Sequence, residues 1–388
     1  MALSIGIVGL PNVGKSTLFN AMLKSELAEA ANFAFTTIDP NVGIVEVPDE
    51  RLEKLAEIEK SGRIVPATVK FIDIAGIIAG AHKGEGLGNK FLAHIREVDA
   101  IAMVVRTFEN KDVIHVAGDF DPKNDIETIM TELVLADMET LEKRISAVEK
   151  EARAGEKFAS TKLAAYKKVQ AKFENSRPAI EADLSDEEKE LLKEANFLTL
   201  KPFLYIFNVS ENKVGEDPAD LIEEYGLNEL VEKKQATVIS ARIESELNSL
   251  SDLDREEYLS ELGLEEPGLN RLIKSAYKTL GLVSFFTAGE MEARAWTIKN
   301  GDKAPAAAGK IHNDFEKKFI KAEVVAYDDF VHPVRDNVGD SSTAKKGTEI
   351  SNGARLGGWK GAKEQGKMRL EGKDYAVKEA DVLFIHHG

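Results

Sequence analysis

The stretch Gly9-Leu10-Pro11-Asn12-Val13-Gly14-Lys15-Ser16-Thr17 has the composition and spacing of a loop that binds phosphate groups. The run before it, residues 4–8, is short, apolar and rich in β-branched residues, as expected of a buried strand. The run after it, residues 18–23, indicates a helix. A strand, a glycine loop and a helix in this order present backbone N–H groups at a helix N-terminus, where polyphosphates bind.

Three side chains and one backbone group match the needs of a bound nucleoside triphosphate and its metal. Lys15 is expected to reach the β- and γ-phosphates, and the Ser16 hydroxyl is expected to ligate Mg²⁺. Asp73-Ile74-Ala75-Gly76 ends an apolar run, residues 67–73, that predicts another strand. The Asp73 carboxylate is expected to hold Mg²⁺ through water, and the Gly76 N–H is expected to bind the γ-phosphate.

A pair of threonines, Thr36 and Thr37, lies in the loop after the first predicted helix. One of their hydroxyls, or the backbone beside it, is a candidate to complete the Mg²⁺ shell, because this cation takes oxygen ligands. The residues themselves leave open which of the two it is.

Two later motifs bear on the choice of base, Asn208-Val209-Ser210-Glu211 and Ser240-Ala241. GTP-binding proteins carry Asn-Lys-x-Asp at the first, where the Asp accepts hydrogen bonds from guanine and the Lys packs on the base. Val209 replaces that Lys, and Glu211 replaces that Asp with a side chain longer by about 1.5 Å. Because a displaced polar contact loses its value, guanine should bind weakly. Adenine becomes possible, read by backbone groups near these two motifs.

The chain has 388 residues, of which 43% are hydrophobic, so two or three domains with proper cores are expected. It has no cysteine, which excludes disulfides and zinc–cysteine sites. The N-terminal run lacks the pattern of a secretory signal, and no stretch of about 18 apolar residues predicts a membrane span. A cytoplasmic location, away from membranes, is therefore expected.

The charge is unevenly distributed along the chain. A net charge of −16 argues against indiscriminate binding of nucleic acid, and no DNA partner is expected. Residues 282–388 carry 17 Lys and Arg against 16 Asp and Glu, and residues 331–373 carry 9 against 5. This basic part of an acidic protein indicates either a face for RNA or a solvated loop.

The order of the predicted elements indicates an α/β fold with an insertion. Continuous apolar runs such as residues 100–105 are typical of parallel strands buried between two layers of helices. Residues 126–196 break the rhythm with apolar positions three and four residues apart, which predicts a helical hairpin or coiled coil. These seam positions are Met130, Val134, Met138, Leu141, Ile145, Val148 and Ala152.

The sequence therefore predicts three parts. A nucleotide-binding domain takes two segments, residues 1–125 and 199–281, around an inserted helical hairpin, residues 126–198. A separate α+β domain takes residues 282–388. Further strands are predicted over residues 42–47, 201–207, 236–240, 294–298, 373–377 and 382–385, and a helical stretch over residues 252–280.

Five stretches in this order resemble the YchF subfamily of Obg-related P-loop GTPases. They are GLPNVGKSTLFNAM (residues 9–22), NFAFTTIDPNVG (32–43), FIDIAGIIAGAHKGEGLGNKFLAHIREVDA (71–100), NVSE (208–211) and GAKEQGKMRLEGKDYAV (361–377). The resemblance covers nearly the whole chain. It implies a Ras-like, OBG-type G domain interrupted by a coiled coil, followed by a TGS domain of β-grasp type.

The resemblance also implies an activity, hydrolysis of ATP in preference to GTP, and a partner, the ribosome. By position it implies that Ser16 and Thr37 ligate Mg²⁺ and that the backbone at Val209 contacts the base. The phosphate contacts fall on Asn12, Val13, Gly14, Lys15, Ser16 and Thr17. Two features depart from the family pattern, a longer loop over residues 331–366 and the ending DVLFIHHG.

One catalytic group is missing from the sequence. Many relatives of this fold place a glutamine directly after the Asp-x-x-Gly motif to orient the attacking water, and this chain has Ile77 there. Three replacements are candidates: K⁺ held near Asn12, the imidazole of His115, or a partner such as the ribosome. His82, in a glycine-rich segment, is a weaker candidate. Slow intrinsic turnover is expected.

Three functions fit these observations. The first is an ATPase that switches with its nucleotide on the ribosome. The second is a conventional GTPase with a relaxed base motif, which Val209 and Glu211 disfavour. The third is a non-catalytic scaffold whose loops the nucleotide orders, which the presence of Lys15, Ser16 and Asp73 disfavours.

Overall fold

The computed structural model of the chain describes residues 3–29, 41–74, 87–108, 120–332 and 357–388. The strands are β1 (Ser4–Val8), β2 (Val42–Glu46), β3 (Ile64–Val65), β4 (Thr68–Asp73), β5 (Ala100–Arg106), β6 (Phe203–Asn208), β7 (Ala236–Ile239), β8 (Leu282–Ala288), β9 (Ala293–Lys299), β10 (Phe319–Ala326), β11 (Arg369–Glu371) and β12 (Asp381–His387). The α-helices are α1 (Lys15–Glu29), α2 (Glu50–Glu59), α3 (Leu87–Glu97), α4 (Pro122–Arg153), α5 (Ala159–Phe173), α6 (Asp186–Leu192), α7 (Pro218–Glu224), α8 (Ala241–Leu247), α9 (Asp252–Glu261), α10 (Gly268–Thr279), α11 (Ala304–Ile311), α12 (Asn313–Lys317), α13 (Tyr327–Val331) and α14 (Gly358–Glu364).

These elements form two compact units, Met1–Val45 with Val69–Leu280, and Glu46–Thr68 with Gly281–Gly388. The first is built on a six-stranded sheet of order β2-β4-β1-β5-β6-β7. β1 pairs in parallel with β4 and β5, β5 pairs in parallel with β6, and β6 with β7. Every residue of β1, β5 and β6 is buried, as in parallel strands covered on both faces. The predicted α/β fold is confirmed.

The predicted helical hairpin is also present in the first unit. α4 and α5 pack against each other, and Gly155 in the turn between them has a φ of 76°, which favours glycine. Of the seven predicted seam positions, four are buried and three are half-buried. The buried ones are Met130, Val134, Leu141 and Val148.

A buried carboxylate fixes the root of this hairpin. Asp137 of α4 is fully buried, and one carboxylate oxygen accepts a hydrogen bond from the Leu198 N–H at 2.9 Å. The other oxygen accepts from the N–H and the hydroxyl of Thr199, both at 2.8 Å. These donors lie just before β6, so Asp137 ties the long helix to the start of a central strand.

A half-buried lysine, Lys201, lies at the same junction. The Lys201 ammonium donates to the carbonyls of Ile95 and Arg96 at 3.0 and 2.8 Å, and also to that of Val98, at the C-terminal end of α3. A cation is favoured there because the carbonyls at a helix C-terminus lack partners within the helix. Burial lowers the pKa of Lys201 to about 8.

The second unit has a six-stranded sheet of order β11-β10-β12-β8-β9-β3. β12 and β8 pair in parallel at its centre, β9 pairs antiparallel to β8, and β10 pairs antiparallel to β12. The alanines of α11 pack with Phe285, Val324 and Leu383 in the core on one face. A mixed sheet with a helix packed on it is typical of the β-grasp arrangement that the resemblance implied.

One segment lies outside the unit in which the sequence placed it. Residues 46–68 fall within the predicted segment 1–125 of the nucleotide-binding domain, but they cluster with the second unit. β3 pairs in parallel with β9, and Arg51 of α2 bonds to Glu379 at 2.6 Å and lies over the Phe286 ring. These partners are more than 200 residues away, so local patterning gave no sign of them.

Two predicted elements differ from the structure. The helical stretch 252–280 is two helices, α9 and α10, because Gly263 has a φ of 68° and Pro267 directly precedes α10. The strand predicted over 373–377 is wrong. That segment forms a single bridge between Ala376 and Lys303, and the nearby strand is β11.

None of the helices in the described part of the chain is both long enough and apolar enough to cross a membrane.

Candidate functional site

The glycine loop leaves the carboxyl end of β1, at the centre of the first sheet, and turns into α1. Two of its residues have left-handed backbone, Asn12 with a φ of 65° and Gly14 with a φ of 94°. The Leu18 N–H donates to the Gly14 carbonyl at 3.0 Å and closes the first turn of α1. In open α/β sheets, ligands bind outside the carboxyl ends of the strands, which is where this loop lies.

Gly14 is required by space as well as by backbone conformation. A Cβ at this position would lie 2.2 Å from Nδ2 of Asn208, closer than atoms in proteins approach. The backbone of the glycine loop at Gly14 therefore packs directly against the Asn208 side chain at the end of β6. A larger residue would push them apart.

Asn208 joins three parts of the site through its amide group. Its Nδ2 donates to the Val13 carbonyl at 2.8 Å, and its Oδ1 accepts from the Ala241 N–H at 3.0 Å. The side chain is buried, so these bonds are shielded from water. The sequence placed Asn208 among the nucleotide contacts; in the structure its amide holds the phosphate loop and the 240–241 turn in register.

Replacing Asn208 with alanine should therefore weaken nucleotide binding and the fold together. Both backbone partners would be left buried without an acceptor or donor, which costs about 2 kcal/mol of unfolding free energy. We expect about a tenfold loss of nucleotide affinity, measured by titration, because the loop and the turn lose their common support.

Asn248→Ala is the matched control. Asn248 makes one comparable bond, from its Nδ2 to the Ala21 carbonyl at 2.7 Å, but this partner lies further along α1 and not in the glycine loop. It should lower stability without lowering affinity. Wild-type affinity in Asn208→Ala would contradict the role given to this residue.

The catalytic lysine and the metal-site carboxylate predicted from the sequence lie together. Lys15 Nζ forms an ion pair with Asp73 at the end of β4, and both side chains are largely buried. They line a cavity of about 640 Å³ with Ser16, Asn41 and His94. A bound triphosphate would draw Lys15 to the phosphate oxygens and separate the pair.

The oxygen donors in this cavity fit Mg²⁺. Ser16 is the second residue of α1, and it lines the same cavity as Asp73. Mg²⁺ prefers hard oxygen ligands and is usually held by one or two protein groups together with phosphates and water. The two groups predicted to hold Mg²⁺, Ser16 directly and Asp73 through water, therefore line the same cavity.

Several predicted site residues lie outside the described residues. They are Thr36, Thr37, Gly76, Ile77, His82 and His115. Most of the predicted long loop, residues 331–366, lies outside as well. The roles given to them in the sequence analysis stay predictions.

A second cavity, of about 680 Å³, meets the first at the glycine loop and lies at the carboxyl ends of β6 and β7. Its lining includes the predicted base-motif residues Asn208, Val209, Glu211, Ser240 and Ala241. It also includes Phe108. The Arg106 guanidinium lies 4.8 Å from the centre of the Phe108 ring. An aromatic face here suits a stacked base. Phe108 comes two residues after the end of the apolar strand β5, but no motif singled it out.

Several polar groups of the two base motifs are already bonded to other groups of the protein. The Val209 N–H donates to the Ile239 carbonyl at 2.9 Å, and the Ala241 N–H is taken by Asn208. Glu211 Oε1 lies 3.0 Å from Nη1 of Arg242. Any base contact at Val209 would therefore use its carbonyl, which accepts hydrogen bonds as the N6 amino group of adenine requires.

Phosphate and base cavities that meet at one glycine loop define a Ras-like P-loop NTPase, and this is the class to which the fold and the site assign the chain. A family model described as 50S ribosome-binding GTPase matches residues 4–150, and a YchF-GTPase C-terminal model, described as a protein of unknown function, matches residues 282–352. The chain belongs to the YchF family, as its relatives show.

These relatives match over nearly their full length. A Bacillus subtilis (strain 168) protein called Ribosome-binding ATPase YchF is 50% identical over 387 residues, 99% of this chain and 98% of its own. An Escherichia coli O157:H7 protein of the same name is 49% identical over 384 residues, with the same coverage. A solved structure, the Schizosaccharomyces pombe YchF GTPase, is 34% identical with a TM-score of 0.78, covering 99% of this chain and 97% of its own.

Proposed function

We propose that this protein is a Mg²⁺-dependent NTPase that hydrolyses ATP in preference to GTP and acts as a nucleotide-dependent switch on the ribosome. One observation carries the proposal. Lys15, Ser16 and Asp73, the residues predicted to bind phosphate and Mg²⁺, line one cavity, while the guanine-reading Lys and Asp are replaced by buried Val209 and by Glu211. Relatives about 50% identical to this chain are named Ribosome-binding ATPase, which supports both ATP hydrolysis and the ribosome as a partner. A ribosome partner would place the protein in the cytoplasm.

The chemistry needs little from the protein beyond position and charge. Lys15 lines the phosphate cavity and is the proposed donor to the β- and γ-phosphate oxygens, and the Gly76 N–H is the proposed donor to the γ-phosphate. Ser16 and, through water, Asp73 would hold Mg²⁺, with Thr37 as a further ligand. Bound Mg²⁺ neutralises charge on the phosphate oxygens. With Ile77 in place of a glutamine, His115, K⁺ near Asn12 or the ribosome would orient the attacking water.

Paired titrations with MgATP and MgGTP test the base preference. We expect ATP to bind at least about tenfold more tightly, a difference of about 1.4 kcal/mol, because guanine lacks its acceptor here. Equal or tighter binding of GTP would favour the conventional GTPase.

The same samples test turnover and the partner. Phosphate release by the protein alone, without K⁺ or ribosomes, should stay below about 1 s⁻¹, the low end for enzymes. Addition of K⁺ in place of Na⁺, or of ribosomes, shows whether either of these two supplies the missing group. Phosphate release that is undetectable under all of these conditions, with nucleotide-dependent ribosome binding intact, would favour the scaffold.

A further inference from the structure

The carboxylate that replaces the guanine-reading Asp already has a cationic partner. Glu211 opens a short 3₁₀ turn directly after β6, and Arg242 lies in the first turn of α8. Their side chains meet at 3.0 Å, between Glu211 Oε1 and Arg242 Nη1, at the rim of the base cavity. Both residues line this cavity, so the pair lies where the edge of a base would be read.

The guanidinium is held in this place from a second side. Its Nε donates to Oε1 of Glu246, one helical turn further along α8, at 3.0 Å. The other Glu246 oxygen accepts from the Tyr258 hydroxyl at 3.3 Å. Arg242 therefore uses one N–H for an anchor on its own helix and directs another at Glu211, as the fixed fork of a guanidinium allows.

The pattern of donors separates the two purines. Guanine presents N1–H and a 2-amino group, which are both donors, whereas adenine presents an N1 acceptor beside its N6 amino donor. An arginine side chain has N–H donors and no acceptor. Beside Arg242, the N1–H and 2-amino group of guanine would meet donors where they need an acceptor, and guanine would have to displace the guanidinium to reach Glu211 with these two groups.

We infer that Arg242 is a specificity-determining residue, which withholds the Glu211 carboxylate from guanine and so favours adenine. This inference rests on the proposed ATP preference and names the side chain behind it. Arg242 is 75% exposed and Glu211 is 44% exposed, so the ion pair adds little to the stability of the fold. The ion pair instead affects the difference in affinity between adenine and guanine nucleotides.

The test is the substitution Arg242→Gln, with affinities for MgATP and MgGTP measured by titration. Removing the guanidinium frees Glu211 to accept from guanine. GTP affinity should rise about fivefold, as a partly exposed charged contact allows, while ATP affinity changes less than about twofold. The ratio of ATP to GTP affinity should fall accordingly.

A double-mutant cycle with Glu211→Gln shows whether the effect runs through this carboxylate. In the Glu211→Gln background, Arg242→Gln should no longer raise GTP affinity. The matched control is Arg153→Gln, which removes a similarly exposed guanidinium that pairs with Glu149 on its own helix, far along the chain from the base motif. It should leave both affinities unchanged.

The outcomes separate this inference from the proposed function. If the wild-type protein prefers ATP and Arg242→Gln leaves the ratio unchanged, the inference is overturned and the ATP preference stands. If the wild-type protein shows no preference, the proposed function fails, whatever the variant does. A rise in GTP affinity that persists in the Glu211→Gln background would also overturn the role given to Arg242.

Discussion

Replacing Lys15 with alanine is expected to lower the rate of nucleotide hydrolysis about 1,000-fold. Lys15 lies in the phosphate cavity beside Asp73, and its ammonium is the only Lys or Arg charge lining that cavity among the residues described. Charge develops on the γ-phosphate oxygens as the reaction proceeds, and losing one preorganised donor at such a place costs about 10²–10³ in rate. Phosphate release under saturating MgATP measures the effect.

Lys24→Ala is the control for this substitution, because Lys24 is an exposed lysine on the same helix, α1. It should hydrolyse ATP as the wild-type protein does. Lys15→Ala also leaves Asp73 without its ion-pair partner, so far-UV circular dichroism has to show that the variant is folded. A folded Lys15→Ala protein with hydrolysis within tenfold of wild type would contradict the role assigned to this lysine.

The second large effect is expected at Asp137, at the root of the helical hairpin. Asp137→Ala would leave two buried backbone N–H groups, those of Leu198 and Thr199, and the Thr199 hydroxyl without their acceptor. We expect a loss of about 3 kcal/mol in the free energy of unfolding, since each buried unsatisfied donor costs about 1–3 kcal/mol. Urea denaturation followed by helix content measures it. Asp186→Ala, at an exposed position of α6, should cost little.

The Asp137 effect should also depend on pH. Burial raises the pKa of Asp137 to about 6, because lost hydration outweighs the hydrogen bonds from Thr199 and Leu198. The pKa of Asp in the unfolded chain is about 3.9. At a pH between these two pKa values, the folded state therefore binds more protons than the unfolded state. The contribution of Asp137 to stability is therefore lost as the pH rises from the unfolded to the folded pKa, and it levels off above the folded pKa.

A non-titrating variant, Asp137→Asn, isolates this pH dependence. The stability difference between wild type and Asp137→Asn should be larger at pH 5 than at pH 7.5, by about 1 kcal/mol. A difference that stays constant over this range would show that Asp137 does not titrate there.

Local patterns predicted the elements whose signals are local. The buried strands β1, β5 and β6 are continuous apolar runs, and the glycine loop between β1 and α1 has a fixed spacing, so each was legible in the sequence. The seam of α4 was legible for the same reason, since apolar residues recur with the period of a helix.

What the sequence could not show depends on partners distant along the chain. Glu211 and Arg242 are 31 positions apart, and no motif joins them, so the ion pair that occupies the base motif was not predicted. Asn208 was predicted as a nucleotide contact, but its bonds to Val13 and Ala241 arise because the glycine loop, the end of β6 and the start of α8 pack together. The pairing of β3 with β9, which draws residues 46–68 into the second unit, is likewise non-local.

The length of α4 has a mechanical consequence for the hairpin. The helix runs unbroken for 32 residues, and Arg153, at its far end, lies 16 positions beyond Asp137, a lever arm of about 24 Å. A tilt of about 5° around Asp137 would carry that end through about 2 Å, whereas the same tilt hardly moves the root. The hydrogen bonds between the Asp137 carboxylate and its three donors therefore determine how far the tip of the hairpin moves. A small change in the tilt of α4 at Asp137 would have its largest effect on a molecule bound at the tip of the hairpin.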